Sequence, residues 1–77
     1  MPHVNIKLFS RDFTPTEKQD LADALTKVLM THLQIYEGAI SICLEPIPPE
    51  RWAEAVEEPE FAAKRHLLIK YPNYQAA

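Results

Sequence analysis

Two short stretches of alternating apolar and polar residues flank one long amphipathic pattern, and few folds of 77 residues accommodate that order. In Met1-Pro2-His3-Val4-Asn5-Ile6-Lys7-Leu8-Phe9, the side chains of Val4, Ile6 and Leu8 fall on one side and those of His3, Asn5 and Lys7 on the other. Alternation of this kind marks a half-buried strand. Ala39-Ile40-Ser41-Ile42-Cys43-Leu44-Glu45 repeats it, with Ile40, Ile42 and Leu44 on one face. Between them, Thr14-Pro15-Thr16-Glu17 reads as a helix start: Thr14 as N-cap, Pro15 at the first helical position and Glu17 closing a capping box. From Pro15 to about Leu33, Leu21, Leu25, Val28, Leu29 and Leu33 keep helical spacing on one face. Such a helix is roughly 28 Å long, and the opening strand roughly 26 Å, so one can lie along the other. Strand, crossover helix, strand is a βαβ unit, which predicts parallel strands and a right-handed crossover.

The remaining elements are shorter. Gly38, the single glycine, suggests a left-handed or otherwise permissive backbone after the helix. Pro46, Pro48 and Pro49 are expected to stop the second strand, and Pro49-Glu50-Arg51-Trp52 resembles one helical turn. A second short helix is expected from Glu58-Pro59-Glu60 to about Leu68, a turn at Tyr71-Pro72-Asn73-Tyr74, and fraying at the last residues.

One helix covers only one face of a two-stranded sheet and leaves both edges open. Such a sheet is marginal alone, and parallel sheets are ordinarily covered on both faces. The class is therefore α/β: one domain over residues 1–77, a βαβ subunit with short C-terminal helices. Two subunits would join into a four-stranded mixed sheet with the helices on one face. Self-association is also the stabiliser left open, because Cys43 is the single cysteine and no Cys/His spacing resembles a structural zinc site. No apolar run approaches the ~18 residues of a membrane span, and a cytoplasmic setting is expected. A net charge of −3 offers no basic footprint for nucleic acid.

Pro2 is the candidate for acid–base chemistry. Removal of Met1 would leave a rigid secondary amine at the head of a strand. An unperturbed α-amino group titrates near ~7.7–8.0, so a modest lowering by burial or nearby cations makes it a neutral base at physiological pH. Taken on the dipeptide alone, proline after methionine reflects no more than efficient processing.

The stretches Met1–Lys7, Ile40–Glu45, Pro49-Glu50-Arg51-Trp52 and Leu68-Ile69-Lys70-Tyr71-Pro72 together resemble the tautomerase superfamily, typified by 4-oxalocrotonate tautomerase. The closer likeness is to its dimeric, phenylpyruvate-tautomerase branch. The resemblance implies a cofactor-free homodimer with Pro2 as general acid and base. It places Arg11 near one substrate-binding arginine, about one residue out of register, and Trp52 near an aromatic site residue. Where the hexameric type enzyme has a second arginine this chain has Ile40, so the expected substrate is an enol monocarboxylate with an apolar tail, such as phenylenolpyruvate.

Arg11 alone reads as a solvated loop residue, roughly 30 Å from Pro2 along one extended chain. It reaches Pro2 only if two first strands pair antiparallel, and there it could bind a carboxylate bidentately. Trp52 either plugs a core or dimer contact or walls the pocket. Lys7 and Lys70 read as solvated, His32 as a helix-end histidine, and Cys43 as packing rather than a nucleophile. His3 and His66 show no partner pattern. Two rivals stay open: a hydratase or dehalogenase of unsaturated acids using a protonated Pro2, and a non-enzymatic dimeric binding protein.

Overall fold

The computed structural model describes residues 1–74, so the expected fraying of the last residues lies outside the described part. The elements run β1 (His3–Phe9), α1 (Pro15–Leu33), a 3₁₀ turn (Glu37–Ala39), β2 (Ser41–Ile47), a 3₁₀ turn (Pro49–Arg51), a π-type helix (Ala53–Ala62) and a last 3₁₀ turn (Arg65–Leu67). The strands are parallel, paired from His3↔Ser41 to Phe9↔Ile47, as a βαβ unit requires. α1 begins with the full capping box: Glu17 N–H donates to Thr14 Oγ1 at 3.1 Å, and Thr14 N–H to Glu17 Oε1 at 2.9 Å. That Thr14 amide bond, ahead of the Arg11 charge, holds the Glu17 carboxyl below its ordinary value.

Three local expectations are corrected. Gly38 has no positive φ; the left-handed residue is Gln34, the helix C-cap, at φ 52°. A glycine still suits position 38, because a Cβ there would sit 3.3 Å from the Tyr36 ring. The second strand runs through Pro46 instead of stopping at it. Ser41 N–H donates to the Pro2 carbonyl at 3.2 Å, so the odd-numbered backbone groups of β2 face β1. Pro46 therefore turns its ring nitrogen to the open edge and removes no ladder bond.

The third correction concerns the expected Glu58–Leu68 helix, which is replaced by the wider helix Ala53–Ala62 with Pro59 inside it. A proline at 59 cannot donate to the Ala55 carbonyl and would clash with it in an α-helix. The wider pitch avoids that clash (Ala63 N–H reaches Glu58 O at 3.0 Å). The Ala55 carbonyl instead accepts from Lys7 Nζ at 3.2 Å, tying this segment to β1. Lys7 is thus part-buried and paired with Glu60 at 2.9 Å rather than solvated.

The sheet has two unlike faces. α1 lies over Ile6, Ile42 and Leu44, and a groove of about 390 Å³ stays open between them. The C-terminal segment covers the far end of the other face, where Phe9, Lys7 and Ile47 lie. Among the described residues only Ala39, Ile47 and Val56 are buried. The chain exposes 6298 Å², whereas a compact monomer of its mass exposes about 4,800 Å². The excess, roughly 1,500 Å², exceeds the ~800 Å² that one partner contributes to a standard interface. Phe9, Val28, Leu33, Tyr36, Leu67 and Ile69 are among the large apolar side chains left exposed.

Candidate active site

Strand alternation sets what Pro2 and its neighbours can reach. Pro2 stands immediately before β1 and is part-exposed, its carbonyl occupied by Ser41 N–H. Beside it, His3 Nδ1 and Ser41 Oγ are hydrogen-bonded at 2.7 Å, and next along the face Asn5 Nδ2 donates to Glu45 Oε1 at 2.9 Å. This end of the face is open and polar. Cys43 is exposed here, contrary to the packing role expected for it.

The opposite end of β1 gathers the other expected residues. Trp52 stacks edge-on against Phe9, ring centroids 4.9 Å apart at 88°. Its indole N–H donates to the Tyr74 hydroxyl at 2.9 Å, and that hydroxyl donates to Glu57 Oε2 at 3.4 Å. Phe9, Trp52, Tyr74, Leu8 and Lys7 line a cleft of about 410 Å³ whose walls are almost wholly apolar. Lys7 contributes its stem alone, because Glu60 and the Ala55 carbonyl draw its ammonium away. Lys64 and then Lys7, by hydrogen bonding, hold the Glu60 carboxyl below its ordinary value.

Arg11 lies just past the strand. Its guanidinium sits 4.0 Å over the Phe13 ring and 3.7 Å from Glu17 Oε2, and it lines a second cleft of about 210 Å³ with Leu8, Asp12 and Pro46. Within one chain neither Arg11 nor Trp52 comes near Pro2: the seven-residue strand holds the two ends roughly 23 Å apart. Sequence reasoning left Trp52 as either a core or dimer plug or a pocket wall, and missed two of its neighbours, Phe9 and Tyr74. Phe9 was legible as the last residue on the polar side of the alternation. Tyr74 left no signal, since Tyr71–Tyr74 reads only as a turn.

Backbone parity says which edge is available. With odd β2 groups turned toward β1, the N–H and C=O groups of His3, Asn5, Lys7 and Phe9 face the free edge of β1. The free edge of β2 carries Ile42, Leu44 and Pro46, and the proline blunts it.

A parallel βαβ unit with a proline immediately before its first strand and an aromatic cleft at the far end defines a class, that of small α/β domains that open on a strand. The chain matches the family model described as tautomerase enzyme over residues 2–62. It is 39% identical over 75 residues to Tautomerase PptA of Cronobacter sakazakii, covering 97% of this chain and 99% of that one. It is 43% identical over 74 residues to Tautomerase PptA of Klebsiella pneumoniae subsp. pneumoniae, covering 96% of this chain and 97% of that one. Over 74 residues it is 40% identical to Tautomerase PptA of Escherichia coli O139:H28, with the same coverage of 96% and 97%. The chain belongs to the tautomerase family and is an isomerase of that type. The non-enzymatic reading is thereby set aside.

Proposed function

We propose that the chain, once Met1 is removed, is a cofactor-free keto–enol tautomerase acting on an aryl enol acid such as phenylenolpyruvate, and that it works as a homodimer. The observation that carries this reading is the separation of Pro2 from Arg11, and from the Phe9–Trp52 pair, at the two ends of one strand whose outer edge is open. Antiparallel pairing of two such edges would put the partner's Arg11 and the partner's Trp52 beside Pro2. The excess exposed surface supports an interface of that size.

In such a site the guanidinium binds the substrate carboxylate and the aromatic cleft takes the aryl tail. The neutral Pro2 nitrogen accepts the enol hydroxyl proton as the C–O bond gains double-bond character. The same nitrogen then returns a proton to C3, yielding the ketone with no net gain or loss. A nearby guanidinium favours the uncharged amine. The free thiol of Cys43 suits the expected reducing, cytoplasmic setting.

The test is a preparation that keeps Met1, compared with processed protein of the same fold. Blocking the proline nitrogen should lower the rate of phenylenolpyruvate ketonisation by about 10²- to 10⁴-fold, the usual worth of a positioned acid–base group. An unchanged rate overturns the assignment of Pro2. A rate that falls instead of rising as pH passes the amine pKa would favour the hydratase or dehalogenase chemistry.

A further inference from the structure

The open cleft beside Trp52 is walled on one side by a residue that lies beyond the family match: the match ends at residue 62, and Tyr74 lies twelve positions further on. We propose that Tyr74 sets the substrate selectivity of this enzyme, its ring forming one wall of the cleft and its hydroxyl fixing the Trp52 indole so that the cleft accepts a flat aryl group. The tautomerase reading above supplies the reaction; the cleft and its preference for aryl acids stand on geometry of their own.

An indole N–H beside an apolar cleft needs an acceptor, and here the acceptor is a side chain. The Tyr74 hydroxyl accepts from Trp52 at 2.9 Å and donates to Glu57 at 3.4 Å, so both rings are held by one chain of hydrogen bonds. On its other side the indole meets Phe9 edge-on. Three aromatic rings thus bound a space of about 410 Å³, enough for a phenyl group. Because the Lys7 ammonium is spent on Glu60 and the Ala55 carbonyl, the cleft offers no cation to a carboxylate. It suits the apolar tail of an acid whose carboxylate is held elsewhere.

Trp52 is the single tryptophan, which makes its emission a direct report of binding. Titration of the dimer with trans-cinnamate and with crotonate, which share a carboxylate and differ in the aryl group, should show cinnamate the tighter ligand. In Tyr74→Phe, which keeps the ring and loses the hydroxyl, cinnamate binding should weaken by about threefold to tenfold, the worth of one hydrogen bond. Crotonate binding should stay within about twofold. The KM for phenylenolpyruvate should rise by the same factor while kcat and the pH profile hold. Tyr74→Ala, which opens the wall, should erase most of the preference for cinnamate. The proposal is overturned if both variants keep the wild-type cinnamate-to-crotonate ratio, or if Tyr74→Phe lowers kcat equally for aryl and alkyl enol acids. Should the alanine variant not fold, Tyr74→Phe alone decides. Because cinnamate binding does not involve proton transfer, these titrations keep their meaning even if Pro2 proves dispensable.

Discussion

Replacing Asn5 with proline separates what β1 does within the chain from the pairing proposed for it between chains. The N–H of Asn5 faces the open edge, and the intrachain ladder is made by Pro2, Val4, Ile6 and Leu8. Inside one subunit Asn5→Pro therefore removes only the exposed bond to Glu45 at 2.9 Å, a cost of about 0.5–1 kcal/mol. Val4, already extended, tolerates a following proline. Across an antiparallel pair of β1 edges the loss is counted twice by symmetry. Two donors vanish and two facing carbonyls lose their partners, at about 1–3 kcal/mol each. Together that is about 2–6 kcal/mol, or a dissociation constant weaker by about 30-fold to 10⁴-fold. Sedimentation equilibrium over a dilution series gives that constant, with activity measured at the same concentrations. The wild type should sediment at twice the 8.8 kDa chain mass. The variant should sediment at the chain mass, keep its helical circular dichroism and lose activity. Ile6→Pro, which breaks an intrachain bond, should unfold instead. An Asn5→Pro protein with the wild-type dissociation constant, or an active monomer, refutes β1-edge pairing as the basis of the site.

Arg11→Ala should reduce kcat/KM for an enol monocarboxylate by about 10- to 100-fold, the range for a lost charged hydrogen bond, mostly through KM. Arg11→Lys should recover only part of it, since a lysine cannot make the bidentate contact. Neither change should alter stability by more than about 0.5 kcal/mol, because the ion pair with Glu17 is exposed and long. Thr14→Ala removes the capping hydroxyl and should cost about 0.5–2 kcal/mol in urea unfolding at fixed protein concentration, with activity per folded chain unchanged. The Glu60 carboxyl is depressed by Lys64 and Lys7, so its contribution is present above the ordinary carboxylate value of 4.5 and is lost as pH falls below it. Glu60→Gln should therefore be less stable than wild type at pH 7 and converge with it in acid, as followed by denaturation at a series of pH values. A gap that widens in acid would contradict the pairing.

The elements with a strong period were legible because their residues answer to local rules. α1 starts at the Thr14–Glu17 capping box and runs to Leu33 as its spacing dictates, and β1 follows its alternation. What was not legible depended on partners distant in sequence. Pro46 reads as a strand terminator until the register shows its nitrogen turned to an open edge. Pro59 reads as a helix start, yet it lies inside a widened helix whose Ala55 carbonyl is met by Lys7, 48 positions away. Lys7 looked solvated for the same reason: alternation assigns it a face but not what folds back over that face. Pro2, Arg11 and Trp52 were nameable as candidates from residue type and resemblance, whereas Tyr74 meets Trp52 through a tertiary hydrogen bond that no local pattern announces.

The proton shuttle itself is tested most directly on the Pro2 nitrogen. With ¹⁵N-proline incorporated and Met1 removed, the chemical shift of that nitrogen can be followed against pH alongside kcat/KM for phenylenolpyruvate. The two curves should share one midpoint, below the ~7.7–8.0 of an ordinary α-amino group, with activity rising as the nitrogen loses its proton. A nitrogen still charged where the enzyme is fully active would contradict it.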